Sequence, residues 1–153
     1  MCQLVDVYLR RWHRMLGLSQ QFPRSWHRER LREELRERRV ATTPLQKLSE
    51  SSDVFFSISR ARYDGFPIQQ LPHFIASRHL LVYAYMVAKY TSRWKFYRTV
   101  ATLCNAPLCG RVREVVNPRK DFKLEEVARR HQMDPAKFKR VSCQLRRIWP
   151  LLP

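Results

Sequence analysis

The sequence predicts an all-α protein, and three observations carry this prediction. Apolar residues recur at spacings of three and four over long stretches, as on one face of a helix. Only 3 glycines are present, and the 9 prolines fall mostly between those stretches, so turn signals are too sparse for a sheet of short strands. Hydrophobic residues make up 44% of the chain and aromatics 12%, which is enough for a core. We expect a three-helix domain over residues 1–65 and a helical extension over residues 66–153.

The first helix is predicted from Leu4 to Leu18, ahead of a break at Phe22-Pro23. Six apolar residues follow its helical period: Leu4, Val5, Tyr8, Trp12, Met15 and Leu16. Arginines lie between them, so the segment could instead be a mitochondrial transit peptide. Asp6 and the early aromatic core positions favour a folded helix.

The second helix is predicted to begin near Ser25 and to contain the most highly charged stretch of the chain. Between Arg28 and Arg39, every residue except Leu31 and Leu35 is charged. These two leucines form a narrow apolar stripe, so the helix has to lie against a partner to be stable. A solvated surface helix is the simplest explanation of such a pattern.

The third helix is predicted to begin at Thr43-Pro44, a capping hydroxyl followed by a proline in the first turn. It is expected to end near Tyr63-Asp64-Gly65. Its inward residues should be Leu45, Leu48, Ser52, Phe55, Phe56 and Ser59.

The fourth and longest helix is predicted from Ile75 to Leu103. One face carries Leu80, Tyr83, Val87, Tyr90, Trp94, Tyr97 and Ala101. Lysines and arginines interleave with these aromatics, a combination that can bind nucleic acid by stacking and phosphate contact. On a helix, however, an aromatic stripe more often forms core, which is the interpretation that we favour.

A basic connector over residues 105–120 leads to two shorter helices. The first is predicted over Leu124 to His131 and the second from Asp134-Pro135 to Pro150, resembling a helix-turn-helix in outline. The net charge of +17 indicates an anionic neighbour such as RNA, an acidic protein or an anionic membrane surface. The candidate residues for docking on RNA or on a large complex are Arg111, Arg113, Arg119, Lys120, Lys137, Lys139, Arg140, Arg146 and Arg147.

Signs of catalysis and of metal binding are weak. The sequence has no glycine-rich phosphate loop, and its acidic residues lie in helical positions flanked by basic ones. Cys104 and Cys109, with His73, His79 or His131, do not match the spacing of a zinc site. The four cysteines do not resemble a disulfide framework, and no apolar run has the length of a membrane span. We therefore expect a non-enzymatic, soluble protein of a reduced compartment.

The stretch from Leu31 to Arg39 and the helix start at Thr43-Pro44 together resemble the LYR-motif (complex I LYR-like) family of mitochondrial proteins. The shared pattern is an aliphatic residue, Arg, an acidic pair, an apolar residue, Arg and further basic positions. Leu35 stands where most members have Phe. Tyr8-Leu9-Arg10 or Arg11-Trp12-His13 could occupy the position of the signature triplet.

This resemblance, which covers residues 4–63, implies a three-helix fold that binds the mitochondrial acyl-carrier protein. In that family the acyl chain on the carrier's phosphopantetheine enters between the helices, and no cofactor is bound directly. The implied carrier-binding residues are Arg10, Arg14, Arg28, Arg32 and Arg36. The implied lining of the acyl chain is Tyr8, Trp12, Leu31, Leu35, Leu48 and Phe55.

The expected function is therefore that of an accessory subunit or assembly factor in the mitochondrial matrix. Its high charge favours the mitochondrial ribosome as host, with respiratory complex I close behind. The alternative is a basic helical RNA-binding protein that has no acyl-carrier partner.

Overall fold

The computed structural model describes residues 2–71 and 77–150, and in these ranges the chain is all-α, as predicted. The described helices are α1 (Cys2–Leu16), α2 (Arg24–Val40), α3 (Pro44–Tyr63), α4 (Ser77–Leu103), α5 (Asp121–Arg130) and α6 (Pro135–Leu145). A single turn of 3₁₀ helix covers Cys109–Arg111. No described helix is long and apolar enough to cross a membrane.

The chain divides into two compact units, Met1–Val87 and Ala88–Pro153. We call them the N-terminal and the C-terminal unit. The sequence placed the boundary at residue 65, whereas the structure places it inside α4, because the first turns of that helix pack with the N-terminal unit. Phe55 and Tyr83 meet there with their ring centroids 4.9 Å apart.

The start of α3 at Thr43-Pro44 is confirmed, and it forms a complete capping box. The backbone N–H of Gln46 donates to the Thr43 hydroxyl at 3.2 Å. In return, the Gln46 side-chain oxygen accepts from the Thr43 N–H at 3.1 Å. Both partners lie within four residues, which is why the sequence alone located this helix end.

The buried face of α1 differs from the predicted one. Leu9, Trp12, His13 and Leu16 are buried, at the i, i+3, i+4, i+7 spacing of a helix face. Tyr8 and Met15 were expected inward but are exposed, and the side chain of Leu4 lies outside the described residues. The two faces are only a small rotation apart, so apolar spacing did not distinguish them.

The buried face of α3 agrees with the prediction except at its beginning. Ser52, Phe55 and Ser59 are buried, whereas Leu45 is exposed in the first turn. The core of the N-terminal unit includes Leu31 from α2 and Val54, Phe55, Ile58 and Ala61 from α3.

A buried ion pair ties the loop between α1 and α2 to the end of α3. The Nε of Arg60 donates to Asp64 at 2.9 Å, and an Nη2 of Arg60 donates to the carbonyls of Leu18 and Ser19 at 3.0 and 2.8 Å. Arg60 and Asp64 are each only 4% exposed. The backbone N–H of Gln21 also donates to Asp64. The charges therefore fix where α2 begins relative to α3.

The C-terminal unit has a more apolar interior. Its buried cluster consists of Phe96, Tyr97, Val100, Ala101, Val112, Leu124, Val127, Ala128, Met133 and Phe138. Phe138 stacks on Tyr97 with a centroid distance of 6.3 Å. The indole N–H of Trp149 donates to Ser92 Oγ at 3.0 Å. In this unit the favoured core interpretation of the aromatic stripe holds at Tyr90, Tyr97 and Ala101.

Three predicted helix positions need correction. Leu80 was placed on the inner face of α4 but is 47% exposed. α5 begins at Asp121, before the predicted Leu124, and α6 ends at Leu145, before the predicted Pro150. The predicted start of α6 is confirmed, because the Asp134 side chain accepts from the Lys137 N–H at 2.9 Å. The predicted start of α4 at Ile75 lies outside the described residues.

Candidate functional site

The most distinct surface feature of the N-terminal unit is a line of three arginines on α2. Arg28, Arg32 and Arg36 follow one another every four residues and are all exposed, while Leu31 and Glu34 of the same helix are buried. Within the described part of the chain, none of the three guanidinium groups forms an ion pair. We call these three residues the arginine ridge.

Three other charged residues of α2 are used in ion pairs within the helix. Arg30 pairs with Glu33 at 2.8 Å and also contacts the buried Glu34. The helix thus uses one arginine for its own ion pairs and leaves the ridge available. Because guanidinium groups bind carboxylates and phosphates in bidentate fashion, the ridge suits an anionic partner.

The two arginines predicted on α1, Arg10 and Arg14, are exposed as well. They lie four residues apart, so they share one side of the helix. α1 and α2 both pack against α3. All five predicted carrier-binding arginines are therefore on the surface of the N-terminal unit.

The residues predicted to line an acyl chain are divided between the interior and the surface. Trp12, Leu31 and Phe55 are buried, and Leu35 and Leu48 are partly buried. Trp12 meets the ring of Phe56 edge-on, with centroids 6.0 Å apart. Tyr8 is 62% exposed, so it lies on the outer side of α1, and Leu9 points inward in its place.

The interior of the N-terminal unit is unusually polar. The buried polar residues of α3 are Ser49, Ser52, Asp53, Ser57, Ser59 and Arg60. A cavity between α1 and α3 has a volume of about 20 Å³ and is lined in part by Leu9, His13 and Ser59. This is space for about one water molecule. An acyl chain would fit in this cavity only if α1 and α3 moved apart.

His13 and Ser59 form a buried pair at the wall of this cavity. The imidazole Nε2 lies 2.7 Å from the Ser59 hydroxyl. Burial, together with the positive charge of Arg60, lowers the pKa of His13 to about 3, so the ring is neutral. Its Nδ1 has no hydrogen-bond partner among the described residues. A serine–histidine pair used in catalysis needs a third group to orient the histidine and space for a substrate, and the described residues around this pair supply neither.

Three carboxylates converge between α2 and α3. Oxygens of Glu34, Glu50 and Asp53 lie within 4.8 Å of one another. Burial raises the pKa of Glu34 to about 7, opposed by Arg30 and reinforced by Asp53. Glu34 also contacts Arg30, and neither Glu50 nor Asp53 is without a partner. The cluster is therefore part of the polar packing of the unit, and the sequence did not anticipate it.

The predicted docking residues of the C-terminal unit fall into two groups. Three of them hold the unit together. Lys137 donates to the Cys104 carbonyl at 3.1 Å, Lys139 pairs with Asp121 at 3.3 Å, and Arg146 pairs with the same carboxylate at 3.1 Å. These three cations are thus engaged within the fold.

The other six predicted docking residues are exposed: Arg111, Arg113, Arg119, Lys120, Arg140 and Arg147. Arg113 interacts with another group of the chain. The other five side chains form no ion pair or hydrogen bond within the described residues. They are the cations that the unit leaves available to a partner.

The cysteines and histidines that the sequence analysis weighed as zinc ligands have separate environments where they are described. Cys104 and Cys109 pack against the core of the C-terminal unit. Burial raises the pKa of the Cys104 thiol. His131 pairs with the buried Glu114 at 3.0 Å, and His79 lies against the ring of Phe55. His73 is outside the described residues.

One exposed aromatic residue of the C-terminal unit was overlooked in the sequence. Phe122 lies in the first turn of α5 and is 61% exposed. The available signal was its position beside Lys120 and Lys123, directly after the basic connector.

No protein-family model, curated protein or solved structure matches this chain.

Proposed function

We propose that this chain is a non-enzymatic adaptor that binds the acyl-carrier protein of the mitochondrial matrix. Its C-terminal unit docks on a large mitochondrial assembly, as an accessory subunit or assembly factor. The mitochondrial ribosome is the favoured host, and respiratory complex I is the next choice. The resemblance of residues 31–39 to the LYR-motif family suggests the carrier, and the arginine ridge is the observation that supports its binding.

The ridge has the chemistry that an acidic helical partner requires. Successive members are four residues apart, which places them about 6 Å apart along the helix axis. Carboxylates on one face of a partner helix repeat at a similar spacing. Because the ridge forms no ion pairs with the rest of the described chain, binding would not first have to break any.

The small cavity in the N-terminal unit determines what insertion of the carrier's acyl chain would require. Carrier binding through the ridge needs only the surface of the N-terminal unit. Insertion of the acyl chain into the cavity between α1 and α3 requires these two helices to move apart, since the cavity holds about one water molecule. We therefore expect the unacylated carrier to bind without this opening, and the acylated carrier to loosen the packing of α3.

Charge reversal of the ridge tests the proposal. The variant R32E/R36E should weaken binding of the purified carrier protein, measured by calorimetry, by at least about tenfold, the effect of about 1.4 kcal/mol. The matched control is R38E/K47E, which makes the same change in net charge at two exposed positions outside the ridge. If the wild-type chain does not bind the carrier, or if both variants lose binding equally, the proposal is wrong.

The same variants separate the adaptor from its rival, a basic RNA-binding protein without a carrier. The adaptor predicts that R32E/R36E loses the carrier and keeps its affinity for RNA. The rival predicts that the RNA affinity falls and that no carrier is bound in the first place. Native mass spectrometry of the protein purified from mitochondria would show which partner accompanies it and would identify the host by its subunits.

A further inference from the structure

The surface around Phe122 combines an exposed ring with unpaired positive charges. Single exposed apolar residues are common on proteins and need no partner. Phe122 differs because of its neighbours. It follows Arg119 and Lys120, both exposed, and the ammonium group of Lys123 lies 5.2 Å from its ring centroid.

The turn that precedes Phe122 is held in a fixed conformation. The Asn117 side chain accepts from the backbone N–H of Arg119 at 3.0 Å. From α6, the guanidinium of Arg146 donates to the carbonyls of Pro118 and Arg119 at 3.0 and 3.1 Å. The side chains of Asn117 and Arg146 thus hold the backbone of the turn, while the side chains of Arg119 and Lys120 are exposed. The backbone that carries the two cations is therefore already ordered before a ligand binds, which lowers the entropic cost of binding.

The acidic residues near this surface are already neutralised. Asp121 pairs with both Arg146 and Lys139, at 3.1 and 3.3 Å. Glu126 pairs with Lys123 at 2.9 Å. The C-terminal unit contains 16 of the 30 lysines and arginines but only 5 of the 13 acidic residues, giving it a net charge of +11. The field that an approaching ligand meets here is therefore positive.

We propose that Phe122, Arg119 and Lys120 form a binding site for single-stranded nucleic acid. An unpaired base stacks on the Phe122 ring, and the flanking phosphates contact the two cations. A duplex has no unstacked base to offer, so the site prefers single strands.

A lipid surface fits the site less well than a nucleic acid. A helix that inserts into a membrane interface needs a broad apolar face. On α5, the exposed positions one and two turns after Phe122 are Glu126, Arg129 and Arg130. These leave a single ring among charges, which suits stacking on one base.

This site deepens the proposed docking of the C-terminal unit on ribosomal RNA, and it shares no residue with the arginine ridge. If carrier binding proves wrong, the site can still be tested by itself. The ridge variant R32E/R36E should bind single strands like the wild type.

The test is fluorescence anisotropy of the full chain with labelled oligo(U), oligo(dT) and a duplex, each about twelve nucleotides long, within the range of single-strand site sizes. F122A should weaken binding of both single strands by about 5- to 160-fold, the effect of one lost stacking contact. F122W should retain the affinity because it keeps a stacking face. F122L, which keeps apolar area without a π-face, should behave like F122A.

The charge contribution is read from salt dependence. R119A/K120A should reduce the slope of log affinity against log salt by about 1.4, since each phosphate contact contributes about 0.7 for a single strand. Equal affinity for oligo(U) and oligo(dT) would mean that the site contacts only the base and the phosphates. A preference for oligo(U) would mean that it also contacts the 2′-hydroxyl. Either result would support the proposed site. Unchanged binding by F122A, equal affinity for the duplex, or F122A-sensitive binding to phosphatidylserine vesicles in place of oligonucleotides would overturn it.

Discussion

Replacing Arg60 should destabilise the N-terminal unit more than any change at a neighbouring surface cation. Arg60→Met removes the guanidinium but keeps an apolar side chain of similar length. It leaves the buried Asp64 carboxyl group without its guanidinium partner, and it deprives the carbonyls of Leu18 and Ser19 of their donor. Loss of one partner of a buried ion pair costs about 3–5 kcal/mol. This free-energy cost already includes the loss of the hydrogen bonds to the carbonyls of Leu18 and Ser19.

Arg62→Met is the matched control on the same helix. Arg62 pairs with Asp6 at 2.9 Å, but its side chain is 44% exposed. Exposed pairs of this kind contribute about 0–1 kcal/mol. The two substitutions are chemically identical and lie two residues apart, so their difference isolates the effect of burial.

The assay is native-state hydrogen exchange of the α3 amides, which reports the local free energy of opening. We expect a loss of about 3–5 kcal/mol for R60M and of no more than about 1 kcal/mol for R62M. The double variant R60M/D64N should recover part of the loss, because it neutralises the stranded carboxyl group. Equal losses for R60M and R62M, or a further loss in R60M/D64N, would refute the reasoning.

Two further predictions concern the polar and the apolar interior. The folded-state pKa of Glu34, about 7, exceeds its unfolded value of 4.5, so the native protein holds a proton that the unfolded chain has released. The stabilising contribution of the protonated Glu34 is full below about pH 4.5 and is lost as the pH rises through about 7. In urea unfolding experiments, the free energy of unfolding of the wild type should therefore fall by up to about 3 kcal/mol across this range. E34Q should abolish this fall, and the exposed E33Q should keep it. Phe138→Ala should cost the C-terminal unit about 3–5 kcal/mol in amide exchange of α5 and α6, whereas the exposed Leu108→Ala should change it by less than about 0.5 kcal/mol; equal effects would contradict the described packing.

Helix positions were predicted best where the signal is local. Thr43-Pro44 and Asp134-Pro135 start α3 and α6 because a cap, a proline and the backbone groups they satisfy are close in sequence. The buried face of α1 was predicted less well. His13 is polar and was not expected in the core, yet Ser59, 46 residues away, supplies its hydrogen bond.

The candidate sites also combine features that were predictable from local sequence with features that depend on residues distant in sequence. The ridge of α2 was visible in the sequence, because four-residue spacing on a helix defines one side. The sequence did not show which of the predicted docking cations are used within the fold. Lys139 and Arg146 pair with Asp121 only once α5 and α6 have packed together. Phe122 was missed for a related reason, because an apolar residue at a helix start gives no sign of whether a core will cover it.

The sequence by itself determined the all-α class, the capped helix starts, the strong positive charge and the spacing of the arginine ridge. These depend on composition and on contacts within about four residues. The tertiary structure decided which face of each helix is buried, which cations are used by the fold and which carboxylates meet between α2 and α3. Those outcomes depend on pairs of residues that are distant in sequence. A charge or a hydroxyl group can be buried only where such a partner is available, because an unpaired polar group in the interior is costly in free energy.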